Sequence, residues 1–211
     1  MINIIHPTAV IEVGAQLGYD NIIGPFCYIG SNVRIGSNNV FRGHCSIGTP
    51  PEHKKFWNER VCDLPMIEIG DKNVLNEFVT VNLGTFRKTI IRDNVVMLRG
   101  SHLSHDSHLS DNVTVSCNVL IGGETKVMTG ANLGLGSIIH QRQVIGAYSM
   151  LGMGTIVTKK TEILPFKIYV GNPARYLKEN LIGIERADLT ISDMESLMND
   201  YENLVNASHV R

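Results

Sequence analysis

Three histidines and an aspartate fall within a seven-residue stretch of this chain, where acid–base or metal chemistry could occur. They are His102, His105, Asp106 and His108. A neutral imidazole, with a pKa near 6.5, can take a proton from a hydroxyl or an amine at physiological pH. A neighbouring carboxylate can fix the tautomer of that imidazole and stabilise the imidazolium that forms. The stretch therefore indicates either a general base or a metal site.

The spacing of these histidines disfavours a metal site. His102 and His108 are six residues apart, which is also the repeat length of the surrounding chain. Equivalent positions of successive hexads lie on neighbouring faces of a coil, so the two imidazoles cannot converge on one ion. We therefore expect no metal, and we expect His105 to be a general base that Asp106 orients.

A six-residue repeat of apolar residues carries these side chains. It runs from Ile5 to Ile47, from Ile69 to Val81 and from Ile91 to Val157, and all 23 positions are apolar. Glycine often follows the apolar residue, and a small side chain often lies four residues after it. A period of six does not fit an α-helix. The pattern predicts an all-β fold, a left-handed parallel β-helix of hexapeptide repeats.

Three hexads per coil would place residues 18 apart in one vertical line. His105, Gly123 and Gln141 share such a line. A glycine one coil away from a base offers an approachable N–H group to an acyl oxyanion, so Gly123 is the third predicted catalytic residue. Cys27 and Cys45 are also 18 apart, and we expect them to be stacked core thiols.

Two insertions and a change of pattern divide the chain. The β-helix is predicted over residues 1–161, with loops at about 49–66 and 83–89 that should line the binding face. Residues 162–211 are predicted to form a short C-terminal α-helical extension. In this extension Ser192 is expected to cap a helix that runs to about Asn206. Its apolar stripe should pack on the β-helix or on a neighbouring subunit, through Met194, Leu197, Met198, Tyr201, Leu204 and Val205.

Composition removes several functional classes. The formal net charge is -1, so a broad basic surface for nucleic acid is not expected. The sequence contains no apolar run of about 18 residues, so no membrane span is expected, and its start does not resemble a secretory signal. Four cysteines without a Cys-x-x-Cys pair favour a reduced, cytoplasmic protein.

Several segments resemble the UDP-N-acetylglucosamine acyltransferase family of lipid A biosynthesis, and together they cover nearly the whole length. The hexads are shared by many transferases. The run His102-Leu103-Ser104-His105-Asp106, combined with His140-Gln141, is far more specific. The remaining matching segments are residues 5–10, 23–27, 67–73, 171–172 and 183–186.

The resemblance implies an acyltransferase. Such an enzyme moves an acyl group from acyl carrier protein or coenzyme A to a hydroxyl or amine of a UDP- or dTDP-linked sugar, in lipid A or polysaccharide biosynthesis. It also implies a homotrimer with sites between subunits and no bound cofactor. By this resemblance His105 is the general base, Asp106 its orienting partner and the Gly123 amide the oxyanion donor. The implied substrate-binding residues are Asn82, His102, Asn118, Glu124, His140, Gln141, Asn172, Asn180 and Arg186.

The chain departs from the family pattern in four places. Glu124 stands where the family has a histidine after the oxyanion glycine, and Leu83 stands where it has a basic residue. The second loop and the C-terminal helical region are both shorter. These departures leave open which sugar is acylated, whether on oxygen or nitrogen, and with what chain length.

Other functions compete with this one. Residues 171–175 resemble the ending of hexapeptide N-acetyltransferases, which favours an acetyl-CoA-dependent nucleotide-amino-sugar N-acetyltransferase as an alternative. A non-catalytic β-helix scaffold is a second alternative, although a scaffold needs neither Asp106 beside His105 nor glycine at position 123. A carbonic-anhydrase-like metal enzyme is a third, and its ligands would come from neighbouring subunits.

Overall fold

The computed structural model describes residues 2–56, 66–159 and 161–209, without the side chains of Ser208 and His209. Within these ranges most strands contain only two or three residues. In chain order they are β1 (Ile4–Ile5), β2 (Val10–Ile11), β3 (Gln16–Leu17), β4 (Ile22–Ile23), β5 (Tyr28–Ile29), β6 (Val33–Ile35), β7 (Val40–Phe41), β8 (Ser46–Thr49), β9 (Ile67–Ile69), β10 (Val74–Leu75), β11 (Thr80–Asn82), β12 (Thr89–Ile91), β13 (Val96–Met97), β14 (His102–Leu103), β15 (His108–Leu109), β16 (Thr114–Val115), β17 (Leu120–Ile121), β18 (Lys126–Val127), β19 (Asn132–Leu133), β20 (Ile138–Ile139), β21 (Val144–Ile145), β22 (Met150–Leu151), β23 (Ile156–Val157), β24 (Lys167–Val170) and β25 (Arg175–Glu179).

Every third strand joins the same sheet, so the described strands form three faces of a prism. The first face runs from β1 through β4 and β7 to β22, β24 and β25, the second from β2 to β23, and the third from β3 to β21. All pairs are parallel except β24 with β25. This arrangement is the parallel β-helix that the hexapeptide repeat predicts.

The vertical register is 18 residues wherever no loop intervenes. His102 pairs with Leu120, and Leu120 pairs with Ile138. Val40 instead pairs with Val74, and Thr80 pairs with His102. The extra residues of these two turns form the loops between β8 and β9 and between β11 and β12, where the sequence predicts insertions.

The core is a narrow column filled mainly by the second residue of the two-residue strands. Ile29, Phe41, Leu75, Leu103 and Leu133 are all fully buried in it. One large aliphatic or aromatic side chain per face fills the triangular section, which explains why six-residue periodicity marks the fold. Cys27 and Cys45 lie in the same buried column, as expected for core thiols.

Asparagines form a ladder inside the corner that precedes the first sheet. Asn21 Oδ1 accepts hydrogen bonds from the backbone N and the Nδ2 of Asn39, at 2.9 and 3.0 Å. Asn39 Oδ1 accepts from Asn73 N at 2.8 Å, and Asn73 Oδ1 accepts from Val95 N at 2.7 Å. All three asparagine side chains are fully buried. They satisfy amides that the turn leaves without a backbone partner.

The sheets continue beyond residue 161, where the sequence places the boundary of the β-helix. Ile163 bridges to Ile145, and β24 pairs in parallel with β22 before β25 turns back along it. The helices are α1 (Leu181–Arg186) and α2 (Ile191–His209). The helical part is therefore shorter than residues 162–211, because residues 163–179 still extend the stack.

Helix α2 begins before the residue that the sequence predicts as its cap. Thr190 and Asp193, rather than Ser192, form the reciprocal cap: Asp193 N donates to Thr190 Oγ1 at 3.2 Å, and Thr190 N donates to Asp193 Oδ2 at 2.9 Å. The predicted packing on the β-helix is confirmed for part of the stripe, since Tyr201 is buried against Met128, Val144 and Ala147, with Leu197, Leu204 and Val205 beside it. Met194 and Met198 lie outside this cluster and line a groove with Phe166. None of the described helices is long and apolar enough to span a membrane.

Replacing Asn39 with alanine should destabilise the β-helix strongly. The change leaves the buried Asn73 amide and Gly70 carbonyl without their present partners, and each buried unpaired group costs about 1–3 kcal/mol. We expect a clear fall in the thermal unfolding temperature. Asn132→Ala is the matched control, since Asn132 is exposed on β19, and it should change stability by less than about 0.5 kcal/mol. Equal effects of the two changes would contradict a structural role for the ladder.

Candidate active site

The 18-residue register brings His105, Gly123 and Gln141 to one corner of the prism. This corner joins the second sheet to the third, after β14, β17 and β20 respectively. The corner backbones are hydrogen-bonded from coil to coil: Glu124 N donates to the oxygen of His105, and Arg142 N donates to the oxygen of Gly123, both at 2.9 Å. The vertical line predicted from the repeat is confirmed.

Glycine at position 123 allows the imidazole of His105 to lie against the next coil. A Cβ atom on Gly123 would be 2.7 Å from Cε1 and 2.8 Å from Nε2 of that ring. Any side chain at this position would displace the imidazole. The backbone of Gly123 therefore lies directly beside Nε2 of His105, the nitrogen that would accept a proton.

Asp106 holds the other nitrogen of the ring. His105 Nδ1 lies 2.6 Å from Asp106 Oδ2, and the Asp106 side chain is fully buried. A buried carboxylate at this distance favours the tautomer with the proton on Nδ1, so Nε2 is left as the basic nitrogen. Asp106 has a φ of 59°, a left-handed conformation that aspartate tolerates better than most residues.

The short loop of residues 83–88 forms a cradle for the Asp106 carboxylate. The backbone amides of Thr85, Phe86 and Arg87 donate to it at 3.1, 2.9 and 2.6 Å, and the hydroxyl of Thr85 donates at 2.5 Å. The sequence predicts that this loop lines the site, but not that it holds the aspartate. The donors are mainly backbone groups, which leave no signature in the side-chain pattern.

These hydrogen bonds set the charge of Asp106. Burial by itself would raise the pKa of this carboxyl group. The hydrogen bonds from His105, from Thr85 and from the amides of Phe86 and Arg87 outweigh burial and hold the pKa well below its ordinary value. Asp106 is therefore ionised at any physiological pH.

The first loop covers the same corner. Asn82 Nδ2 donates to the Thr49 hydroxyl and to the Pro50 carbonyl, both at 3.1 Å, and so fixes the base of the loop. A 3-10 turn at Lys54–Phe56 follows. The ring of His53 stands edge-on to that of His105, with centroids 5.9 Å apart. Sequence reasoning did not single out His53, which has no family motif around it. Residues 57–65, including Trp57 and Cys62, lie outside the described residues.

The two loops pack on each other beside His105. The ring of Phe56 is buried against that of Phe86, with centroids 5.3 Å apart. Lys55 Nζ lies 5.5 Å from both ring centroids. The loops therefore form a wall beside the imidazole, as expected of insertions in a solenoid that line its binding face.

Other predicted site residues lie near this corner or across the second sheet. His102 is on β14, where its Nδ1 is 2.7 Å from Thr80 Oγ1, and burial lowers its pKa. His140 and Gln141 are exposed at the end of β20. Asn118 is exposed at the other corner of the second sheet. The structure thus distributes these side chains along one face.

Glu124 is already engaged within the chain. Its two carboxylate oxygens accept from Arg87 Nη2 at 3.0 Å and from Arg142 Nε at 2.8 Å. Sequence reasoning assigned Glu124 to substrate binding and did not identify either arginine. The pair with Arg87 spans 37 residues and starts from an irregular loop, so the sequence does not reveal it. The pair with Arg142 spans 18 residues, which is one coil of the repeat.

The C-terminal candidates do not join His105 within one chain. Asn180 caps α1 by accepting from Gly183 N, and its Nδ2 donates to the Tyr148 carbonyl at 2.8 Å. That carbonyl belongs to the corner between the third and first sheets. Asn172 is exposed at the last turn of the stack, nearly four coils from His105, or roughly 18 Å along the stack at β-strand spacing. Arg186 is exposed on α1.

His102 and His108 lie on different sheets, as the hexad spacing requires. His102 is on β14 of the second sheet and His108 is on β15 of the third. Burial lowers the pKa of His108 as it does that of His102. Among the described residues, no three histidine, cysteine, aspartate or glutamate side chains are grouped to hold a metal ion.

Known proteins with similar sequences are named acyltransferases. No family profile matches the chain. It is 33% identical over 143 residues to the acyl-[acyl-carrier-protein]–UDP-N-acetylglucosamine O-acyltransferase of Alkalilimnicola ehrlichii, covering 66% of this chain and 53% of that protein. It is 31% identical over 160 residues to the protein of that name from Herminiimonas arsenicoxydans, covering 74% and 58%. The chain therefore spans little more than half the length of the curated relatives it matches.

Solved structures agree with this similarity. The UDP-N-acetylglucosamine O-acyltransferase of Moraxella catarrhalis matches with a TM-score of 0.76 and 27% identity, covering 93% of this chain and 82% of that one. The UDP-N-acetylglucosamine acyltransferase of Francisella novicida matches with a TM-score of 0.75 and 22% identity, covering 94% and 79%. The second match supports the fold alone.

The fold, together with the corner that carries His105, Gly123 and Gln141, defines a class of protein, the hexapeptide-repeat left-handed β-helices. The predicted fold class is confirmed, including its handedness. Within this class, relatives and solved structures named UDP-N-acetylglucosamine acyltransferases support that family for this chain, as the sequence resemblance predicts.

The ionised state of Asp106 should contribute to stability in a pH-dependent way. Because the folded-state pKa is lowered, the contribution is fully present above the unfolded-state pKa, near 4, and is lost as the pH falls toward the folded-state value. Asp106→Asn should therefore lower the unfolding temperature most at neutral pH, and the gap to the unchanged protein should narrow below about pH 4. Thermal unfolding from pH 7 to pH 2.5 measures this gap. A gap that stays constant, or widens in acid, would contradict the cradle.

Proposed function

We propose that this chain transfers an acyl group from an acyl thioester to a hydroxyl of a nucleotide-linked sugar, with His105 as general base. The observation that carries the proposal is the imidazole of His105, held by Asp106 at Nδ1 and lying against the Gly123 backbone at Nε2. The names of the relatives supply the substrate class: a UDP-N-acetylglucosamine acceptor and an acyl carrier protein donor. Acetyl-CoA-dependent N-acetylation has less support, because these relatives are named O-acyltransferases.

The proposed reaction needs one base and one oxyanion donor. Nε2 of His105 removes the proton of the sugar hydroxyl as its oxygen attacks the thioester carbonyl carbon. The Gly123 N–H donates a hydrogen bond to the oxyanion of the tetrahedral intermediate. When the intermediate collapses, the C–S bond breaks and the thiolate takes the proton from the imidazolium of His105. Throughout, the ionised Asp106 stabilises the imidazolium and keeps its orientation.

The proposal requires no bound cofactor and locates the reaction in the cytoplasm. The acyl group arrives on its own carrier, and the imidazole returns to its starting state in each cycle. Cys27, Cys45 and Cys117 are free thiols, which suits a reducing compartment.

Replacing His105 with alanine should abolish most of the turnover. Loss of a general base typically costs about 100-fold to 10,000-fold in rate. The assay combines UDP-N-acetylglucosamine with a panel of acyl carrier protein thioesters and detects products by mass spectrometry. His6→Ala is the matched control, since His6 is exposed at the first turn and should leave turnover unchanged.

Two outcomes would count against this function. Full turnover by a folded His105→Ala protein would remove the base assignment. No product from the unchanged protein with any donor, together with no thermal shift from the sugar nucleotide or the thioesters, would favour a scaffold instead.

We also propose that the working unit is a homotrimer. Apolar side chains remain exposed on the second sheet and at its edge: Leu120 and Ile138 on the strands, and Leu135 and Met153 at the corner, each 41–75% exposed. Leu135 and Met153 lie at the corner before the second sheet, and His105 lies at the corner after it. Exposed apolar side chains across this sheet are typical of a subunit interface. Asn172 and Arg186, remote from His105 in one chain, could reach a neighbour's site in such an assembly.

The mass in solution tests this assembly. Light scattering after gel filtration should give about three times the 23.3 kDa of one chain. Leu120→Asp combined with Ile138→Asp should shift the protein toward a monomer, because two charges would be buried in the interface. A monomeric unchanged protein at micromolar concentration would contradict the proposal.

A further inference from the structure

The carboxylate of Glu124 lies at the centre of a small ion-pair network beside Gly123. One oxygen accepts from Arg87 Nη2 and the other from Arg142 Nε, at 3.0 and 2.8 Å. The Glu124 side chain is 16% exposed, the Arg87 side chain 39% and the Arg142 side chain 60%. An ion pair between exposed groups contributes little, whereas a partly buried pair is less screened by solvent and salt. The pair with Arg87 is therefore the more influential of the two.

Arg87 connects Glu124 to the cradle of Asp106. Its backbone N donates to Asp106 Oδ1 at 2.6 Å, the shortest of the three amide contacts, while its side chain reaches Glu124. Arg87 is thus fixed at both ends, by Asp106 through the main chain and by Glu124 through the guanidinium. The amides of Thr85 and Phe86, directly before it, complete the cradle.

Glu124 is also joined to the base through the main chain. Its N–H donates to the carbonyl oxygen of His105 at 2.9 Å. One residue therefore contacts the backbone that carries the imidazole and, through Arg87, the loop that holds its orienting carboxylate. The route from Glu124 to His105 has three links: Glu124 to Arg87, Arg87 to Asp106, and Asp106 to His105.

The two arginines also make a carboxylate tolerable at this position. Glu124 immediately follows Gly123, whose N–H would face a developing negative charge. An uncompensated carboxylate there would oppose that charge. The two guanidinium groups on its oxygens offset the carboxylate charge, so that Glu124 opposes a developing oxyanion less.

We propose that Glu124 is a positioning residue of the acyl-transfer site. It acts through Arg87 on residues 83–88, and so on the orientation of Asp106 and His105. This inference rests on the proposed function for its kinetic consequence. Its structural consequence, that the cradle loosens when the Glu124 charge is removed, does not depend on any activity.

Hydrogen exchange tests the structural consequence on the full chain. Glu124→Gln should raise the exchange rate of the amides in residues 83–88 at least about tenfold, because Arg87 loses its charged partner. In ¹⁵N-histidine-labelled protein, the low-field Nδ1 proton signal of His105 should broaden or shift. Glu179→Gln is the matched control: it removes the ion pair between Glu179 of β25 and Lys167 of β24, remote from the corner, and should change neither signal. Unchanged exchange over residues 83–88 in Glu124→Gln would overturn the proposal.

Kinetics separate positioning from direct substrate contact. Glu124→Gln should lower kcat about tenfold and leave KM within about twofold, since a loosened base misaligns the reaction without removing a binding group. Arg87→Met should have the same effect, and the double variant should be no worse than either single one. A raised KM with unchanged kcat would overturn the proposal in favour of substrate binding. If the unchanged protein transfers no acyl group, the proposed function fails, while hydrogen exchange still decides the link between Glu124 and the cradle.

Discussion

Hydrogen bonding between successive coils is the constraint on which this structure depends. Each two-residue strand is far too short to be stable alone, and it persists because the coils above and below supply its backbone partners. The same bonds fix which residues stand above each other. At the corner after the second sheet, Glu124 N donates to the His105 carbonyl, and Arg142 N donates to the Gly123 carbonyl. The approach of an imidazole to a bare backbone is therefore a property of the stack, and no special loop is needed to create it.

The loop of residues 83–88 adds what the stack alone cannot supply. Most N–H groups of a regular coil serve the neighbouring coil, so such a coil does not offer several amides to one buried carboxylate. An insertion of a few residues releases three amides and a hydroxyl, and all of them converge on Asp106. Asp106 is then stable as a buried anion, which an orienting partner of a base must be. Regular coils and inserted loop thus have separate tasks: the first sets the position of His105, the second its orientation.

The sequence predicts the parts of this site that follow from periodicity. Ile121 and Ile139 mark the strands, so the line through His105, Gly123 and Gln141 follows from counting hexads along the chain. The sequence does not reveal the cradle around Asp106, because the donors at residues 85–87 are backbone amides and leave no pattern in the side chains. The pairing of Arg87 with Glu124 could not be foreseen either, since Arg87 lies in a loop of irregular length. Glu124 and Arg142, by contrast, are 18 residues apart, so the same count of hexads could have revealed their pairing. The predicted end of the β-helix is too early, since Ile163 and Tyr169 follow Val157 at the same six-residue spacing. They pair 18 residues on from Ile145 and Leu151, so the count of hexads could have been continued through them.

The last turn of the stack has a consequence for association between molecules. An open solenoid end presents rows of unpaired main-chain groups, onto which another molecule can add strand by strand. Here β25 runs antiparallel to β24. The backbone N of Ile156 donates to the Gly171 carbonyl, and the Ile156 carbonyl accepts from Ala174 N, so these two groups are not left unpaired at the end of the stack. Helix α2 packs on the last strand of the third sheet. A further parallel coil therefore has no open strand edge to pair with at this end. A repeat of this kind could continue indefinitely, but here the end of the stack is protected from polymerising into a fibre.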